Sequence, residues 1–66
     1  MRKNVEEIKG DLRLVESNLV SAQAHLVALE KLNTPSVQKH IFRKREEVHY
    51  LLLKKQSLLE AIMRNL

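Results

Sequence analysis

The sequence predicts an all-α protein, a two-helix antiparallel coiled-coil hairpin, and two observations lead to that prediction. In each half of the 66-residue chain, apolar residues recur with alternating gaps of four and three, which is the heptad spacing of packed helices. The two patterns are mirror images about a point between Asn33 and Thr34, next to the only proline, Pro35. Two antiparallel helices joined by a turn produce this reversal, so we expect a single domain over residues 1–66.

The first helix is expected over about residues 3–32. Its apolar seam has no polar interruption and consists of Met1, Val5, Ile8, Leu12, Val15, Leu19, Ala22, Leu26 and Leu29. Gly10 lies inside this span but outside the seam, at a cost of about 1 kcal/mol relative to alanine in a helix interior. The unbroken seam predicts that this helix presents one continuous apolar face to the second helix.

The turn is expected at residues 33–34. Asn33 suits a turn, and Thr34 is predicted to be the N-cap of the second helix, its hydroxyl accepting a hydrogen bond from a backbone N–H. Pro35 would then occupy the first helical position, where its missing N–H costs nothing and its fixed φ already suits a helix. Because proline disfavours a helical conformation at the residue before it, one uninterrupted helix through the whole chain is not expected.

The second helix is expected over about residues 35–64, with a seam that polar residues interrupt. Its apolar seam residues are Ile41, Val48, Leu52, Leu59, Ile62 and Leu66, and its polar seam positions are Gln38, Arg45 and Lys55. In the mirror register Arg45 lies opposite Ala22, so that its methylene groups cross the seam while its charge reaches water. Lys55 lies opposite Leu12 in the same way. Such residues either control the register, at a cost in stability, or hold Arg45 ready for the carboxylate or phosphate of a partner.

The chain contains more apolar residues than one seam can use. Hydrophobic residues make up 44% of the sequence, and the seam accounts for about half of them. The first helix carries a second line of mostly small residues on the side away from its seam, called the small-residue stripe below: Gly10, Leu14, Ser17, Val20, Ser21, Ala24, Val27 and Ala28. On the second helix, Leu51 and Leu58 widen the apolar face.

These extra apolar residues are the candidate interface with a partner. Small residues let another helix approach closely, and a glycine in an exposed helix is otherwise only a cost. The alternative is an ordinary helix surface that happens to use alanine and serine. We expect the hairpin to form a homodimer, a four-helix bundle, or to dock a helix of another protein through the same residues.

A basic cluster lies close to the predicted turn. The net charge is +4, and all of the excess falls after residue 32. The cluster is a candidate patch for an anionic partner and contains Lys39, Arg43, Lys44 and Arg45, with His40 among them. Nucleic-acid phosphates, an acidic protein and an acidic membrane surface are all consistent with it. A solvated helix face is the alternative, because Glu46 and Glu47 follow Arg43 at the spacing of intrahelical ion pairs.

No catalytic, metal or cofactor site is expected. The absence of cysteine excludes disulfides, thiolate zinc sites and thiol catalysis. No histidine has another three or four residues away, and the adjacent Glu6–Glu7 and Glu46–Glu47 pairs point about 100° apart on a helix. A two-helix hairpin also offers no enclosed pocket. We therefore expect a protein that is not an enzyme.

The sequence also bears on localisation. No apolar run approaches the ~20 residues of a membrane span. The first residues lack the apolar segment of a signal peptide. Together with the lack of cysteine, these features favour an intracellular, cytoplasmic protein.

The layout resembles that of several families of short antiparallel hairpins: plasmid copy-control RNA-binding dimers, small-GTPase effector hairpins and viral nucleocapsid N-terminal hairpins. No motif of those families can be carried over residue by residue, so the resemblance implies only assembly or recognition. The function expected first is a protein-interaction or oligomerisation module. The alternatives are a small basic dimer that binds RNA through the cluster near the turn, and an effector hairpin that binds a signalling protein such as a small GTPase.

Overall fold

Two long helices make up almost all of the described chain. The computed structural model describes residues 4–32 and 34–65. Helix α1 spans Val5–Leu32, a short 3-10 turn spans Pro35–Val37, and helix α2 spans Gln38–Arg64. The described residues include no strand, and α1 and α2 pack against each other in a molecule of 47 × 17 × 14 Å. The predicted all-helical hairpin is confirmed. The predicted seam ends, Met1 and Leu66, and the turn residue Asn33 lie outside the described residues.

Helix α1 begins with a side-chain cap. The Asn4 Oδ1 atom accepts a hydrogen bond from the backbone N–H of Glu7 at 2.8 Å, and the Asn4 carbonyl accepts the first helical bond from Ile8 at 3.1 Å. The carboxylates of Glu6 and Glu7 favour the positive end of the helix dipole. Asparagine followed three residues later by glutamate is a recognised start signal, and α1 begins after it at Val5, whereas the start was expected at about residue 3.

The connection differs from the predicted N-cap. Thr34 is extended, with φ −107° and ψ 152°, and its side chain makes no cap hydrogen bond. Its hydroxyl instead lies 3.1 Å from the Ser36 hydroxyl. The backbone closes the turn itself, because the Val37 N–H donates to the Thr34 carbonyl at 3.1 Å. A 3-10 turn therefore satisfies the N–H group that the hydroxyl was expected to bind, and α2 begins only at Gln38.

The core between the helices is small. Its buried residues are Ile8, Val15, Leu19 and Ala22 on α1, with Ile41 and Leu51 on α2. Val48 and Leu58 are half-buried and pack against the central cluster, which consists of Val15, Leu19, Ala22 and Leu51. The remaining described seam residues of α1 are also half-buried: Val5, Leu12, Leu26 and Leu29. Ile62 is half-buried on α2.

The predicted seam of α2 is wrong in one respect: two of its leucines, Leu52 and Leu59, are exposed and do not lie in the core. Leu51 is 7% exposed, whereas Leu52 is 45% and Leu59 42% exposed, and Leu58 replaces Leu59 against the core. A seam through Leu51 and Leu58 has the same gaps of three and four as one through their neighbours, so spacing cannot choose between them. The helix is rotated so that the aliphatic stem of Lys44, whose side chain is only 20% exposed, approaches the seam.

Two ion pairs join the helices along one long edge of the hairpin. Arg45 pairs with Glu30 at 3.1 Å and Lys55 with Glu16 at 3.6 Å, in opposite sequence order on the two helices. Arg45 therefore does not cross the seam at Ala22, because Glu30 lies eight residues farther along α1, about 12 Å at 1.5 Å per residue. All four side chains are at least one-third exposed, so each pair contributes at most about 1 kcal/mol.

Candidate interaction surfaces

Most of the small-residue stripe lies on the surface of α1 that faces away from α2, but Leu14, at one margin, lines a crevice with Leu51 and Leu58 of α2. All eight of its residues are exposed, and Leu14, Val20 and Val27 are more than half exposed. A Cβ atom added at Gly10 would meet nothing within 4 Å, so the hairpin itself gives no reason for glycine there. Leu51 and Leu58, which were predicted to belong to the same partner interface, instead pack inside the hairpin.

A second apolar surface, called the leucine edge below, consists of Leu52 and Leu59. Leu52 precedes Lys55 by three residues and Leu59 follows it by four, so both lie on the side of α2 that carries the interhelical ion pairs. On α1, Val20 follows Glu16 by four residues and Val27 precedes Glu30 by three. Both valines therefore lie on the side of α1 that carries the interhelical ion pairs.

The leucines of α2 occur as two adjacent pairs with different environments. Leu51 and Leu58 contact the core, while Leu52 and Leu59 remain more than two-fifths exposed. The apolar stripe of α2 is thus wider than a single neighbouring helix covers. A narrow stripe suits a helix with one partner, whereas a wide one is typical of a helix that packs against two.

A third surface, called the aromatic groove below, lies on the outer side of α2. It is lined by Phe42, Arg45, Glu46, His49, Tyr50 and Leu53. Phe42, Tyr50 and Leu53 are each more than half exposed. The ammonium group of Lys54 lies 6.0 Å from the centre of the Tyr50 ring, at the outer limit of a cation–π contact. The sequence carried a signal for this surface, since Phe42, Glu46, His49 and Leu53 have helical gaps of four, three and four.

The basic cluster does not form one surface. Arg43 and Lys44 line a crevice between the helices, together with His25 and Leu29 of α1 and His40 and Glu47 of α2. Arg45 points to the opposite edge, toward Glu30. The ammonium group of Lys44 donates to Glu47 at 2.7 Å, so carboxylates hold two of the four predicted cations. The other two cations of the cluster, Arg43 and Lys39, have no ion pair with another described residue.

The crevice near the turn brings together two histidines that the sequence does not place at ligand spacing. His25 and His40 come from different helices, and Glu47 lies beside them. Within residues 4–32 and 34–65, however, no group of three histidine, aspartate or glutamate side chains is arranged to hold a metal ion. The Glu46–Glu47 pair is also divided, because Glu46 lines the aromatic groove and Glu47 the crevice.

Neither of the two described helices combines the length and the apolar character that crossing a membrane requires. Comparison of the chain with protein-family models, curated proteins and solved structures finds no match.

Proposed function

We propose that this protein is a non-enzymatic oligomerisation module, a coiled-coil hairpin that pairs with a second copy of itself to form a four-helix bundle. The observation that supports the proposal is the pairing of buried and exposed leucines on α2. Leu51 and Leu58 contact α1, while Leu52 and Leu59 lie beside them with no apolar neighbour to cover them fully. In a four-helix bundle each helix packs against two others, which gives these leucines a place.

The energetics favour covering the leucine edge. Full burial of a leucine is worth about 1.5–3 kcal/mol, so the exposed parts of Leu52 and Leu59 represent about 1 kcal/mol each. A two-fold dimer buries four such leucines, two from each copy. It can also bury Val20 and Val27, which lie on the same side of the hairpin. The two-helix core alone contains only six buried residues among those described, so additional burial has a large relative effect on stability.

Charge complementarity favours a second copy as the partner. On the ion-paired edge, α1 carries the carboxylates of Glu16 and Glu30, and α2 carries the cations of Arg45 and Lys55. A two-fold axis parallel to the long axis of the hairpin places α1 of one copy over α2 of the other without shifting them lengthwise. Each carboxylate then faces, in the partner copy, the same cation that it contacts in its own chain, so no like charges meet across the interface.

Sedimentation equilibrium at low micromolar concentration tests the proposal. We expect the mass of a dimer for the natural chain, and of a monomer after the double change Leu52→Gln and Leu59→Gln, with helix content checked by circular dichroism. The matched control is Leu14→Gln, the same chemical change at an exposed leucine of the small-residue stripe, which should leave the dimer intact. A helical natural chain that stays monomeric would refute self-association, and dissociation by Leu14→Gln would assign the interface to the stripe residues other than Val20 and Val27.

A further inference from the structure

We propose that the aromatic groove is a second and weaker self-association site, in which the α2 helices of two copies pack antiparallel about a two-fold axis between Glu47 and Val48. This contact lies on the outer side of α2 and uses a different surface from the leucine edge. It would join one dimer to another at high concentration. The occupant of the groove is therefore the groove of another copy of this chain.

The spacing of the groove residues is symmetric. Phe42, Glu46, His49 and Leu53 have gaps of four, three and four, and this series reads the same in both directions. An antiparallel copy aligned on it places Phe42 opposite Leu53 and Glu46 opposite His49, and the two-fold axis repeats each pair. Because the series is symmetric, one alignment of the two α2 helices pairs all four residues of both copies at once.

The outer pairs of this arrangement are apolar. The side chains of Phe42 and Leu53 are 64% and 53% exposed, and both line the groove. In the antiparallel arrangement each Phe42 ring lies against Leu53 of the other copy. The two apolar residues of the series therefore cover each other. Only two such pairs form, which is why this contact is weaker than one through a continuous leucine seam.

The central pair is polar and can fix the alignment. Among the described residues, Glu46 and His49 have no hydrogen bond or ion pair. In the antiparallel arrangement an imidazole N–H of one copy donates to the carboxylate of the other, and the two-fold axis repeats the bond. A polar pair inside an apolar contact excludes alignments that would leave either group unpaired.

The test is a charge swap followed by sedimentation equilibrium at concentrations approaching millimolar. For the natural chain we expect a mass above that of the dimer. Glu46→Lys alone and His49→Glu alone should each remove the excess mass. The two changes together should restore it, because the introduced lysine of one copy then faces the introduced glutamate of the other. The control Glu47→Lys makes the same charge change one residue along, outside the groove, and should keep the excess mass.

The outcomes separate this contact from the leucine edge. If the leucine double variant is a monomer at low concentration but still dimerises near millimolar, both contacts exist. If Glu46→Lys and His49→Glu leave the mass of the natural chain unchanged, or if their combination fails to restore what each removes, the groove contact is overturned, whatever the leucine edge does. A natural chain that remains a dimer at the highest concentration overturns it as well.

Discussion

The guanidinium group of Arg45 donates a hydrogen bond to the Glu30 carboxylate across 3.1 Å and joins α2 to α1 near the turn. This bond turns Arg45 away from the crevice that Arg43 and Lys44 line. The cations that are consecutive in the sequence therefore serve different surfaces. A phosphate-binding patch needs cations that converge on one ligand, and this arrangement does not provide four of them.

The strength of the Glu30–Arg45 pair can be measured by a double-mutant cycle. In the monomeric background of Leu52→Gln and Leu59→Gln, the changes Glu30→Ala, Arg45→Ala and both together should give a coupling free energy below about 1 kcal/mol, because both side chains are solvated in the single chain. Raising the salt concentration should reduce it further. Urea unfolding at one fixed protein concentration provides the measurement. A coupling above about 2 kcal/mol in that monomeric background would contradict the exposed pair, whereas a larger coupling in the natural chain alone would place the pair in the dimer interface.

The two adjacent leucines of α2 should respond differently to truncation. Leu51→Ala should lower the free energy of unfolding by about 2–4 kcal/mol at every protein concentration, because it leaves a cavity in the core. Leu52→Ala should cost less than about 1 kcal/mol in dilute solution, since the side chain is already 45% exposed. Its effect should instead grow with protein concentration, as a dimer contact requires. Unfolding curves at several concentrations distinguish the two, and equal costs in dilute solution would contradict the observed rotation of α2.

Replacing Gly10 by alanine should stabilise the hairpin. The added methyl group has no atom within 4 Å, and alanine is favoured over glycine in a helix interior by about 0.8–1 kcal/mol. Thermal unfolding followed by circular dichroism should show the gain as a higher midpoint. A loss of stability, or a weakened assembly, would show that another helix crosses the small-residue stripe at Gly10.

Two alanines of α1 provide a matched pair for the same substitution. Ala22 is 4% exposed and contacts the central cluster, so Ala22→Glu would bury a charge and should abolish the folded hairpin. Ala24 is exposed on the small-residue stripe, and Ala24→Glu should change neither helix content nor mass. Circular dichroism and sedimentation equilibrium are the measurements. A helical Ala24→Glu chain that dissociates would move the dimer interface to the stripe.

The two helices and the position of the break between them could be predicted because their signals are local, although the cap expected at Thr34 does not form. Heptad spacing on both sides of Pro35 defines two helices of similar length, and the proline excludes a continuous one. The α1 seam could be predicted because the unbroken apolar spacing passes through Val15, Leu19 and Ala22, whereas the neighbouring line through Leu14 contains Ser17 and Ser21. The N-cap at Asn4 was not predicted, although the glutamate three residues later is a local signal for it.

The aromatic groove could be predicted only in part. Its symmetric spacing is present in the sequence, but spacing alone does not decide whether these residues face α1 or solvent. The basic cluster shows the opposite case, because four cations within seven residues suggest one surface. Successive helical residues point about 100° apart, and carboxylates on both helices bind two of the cations, so the cluster is divided.

By itself, the sequence determined two helices, their approximate bounds and the position of the break between them, because periodicity and the restriction imposed by Pro35 act within a few residues of one another. Only the tertiary structure decided which side of α2 lies against α1. Leu51 and Leu52 are equally apolar, as are Leu58 and Leu59, and either choice preserves the heptad gaps. The choice depends on contacts between the helices, on the Lys44 stem near the seam and on Arg45 reaching Glu30 at its edge. Those contacts also decide which leucines remain exposed for a partner.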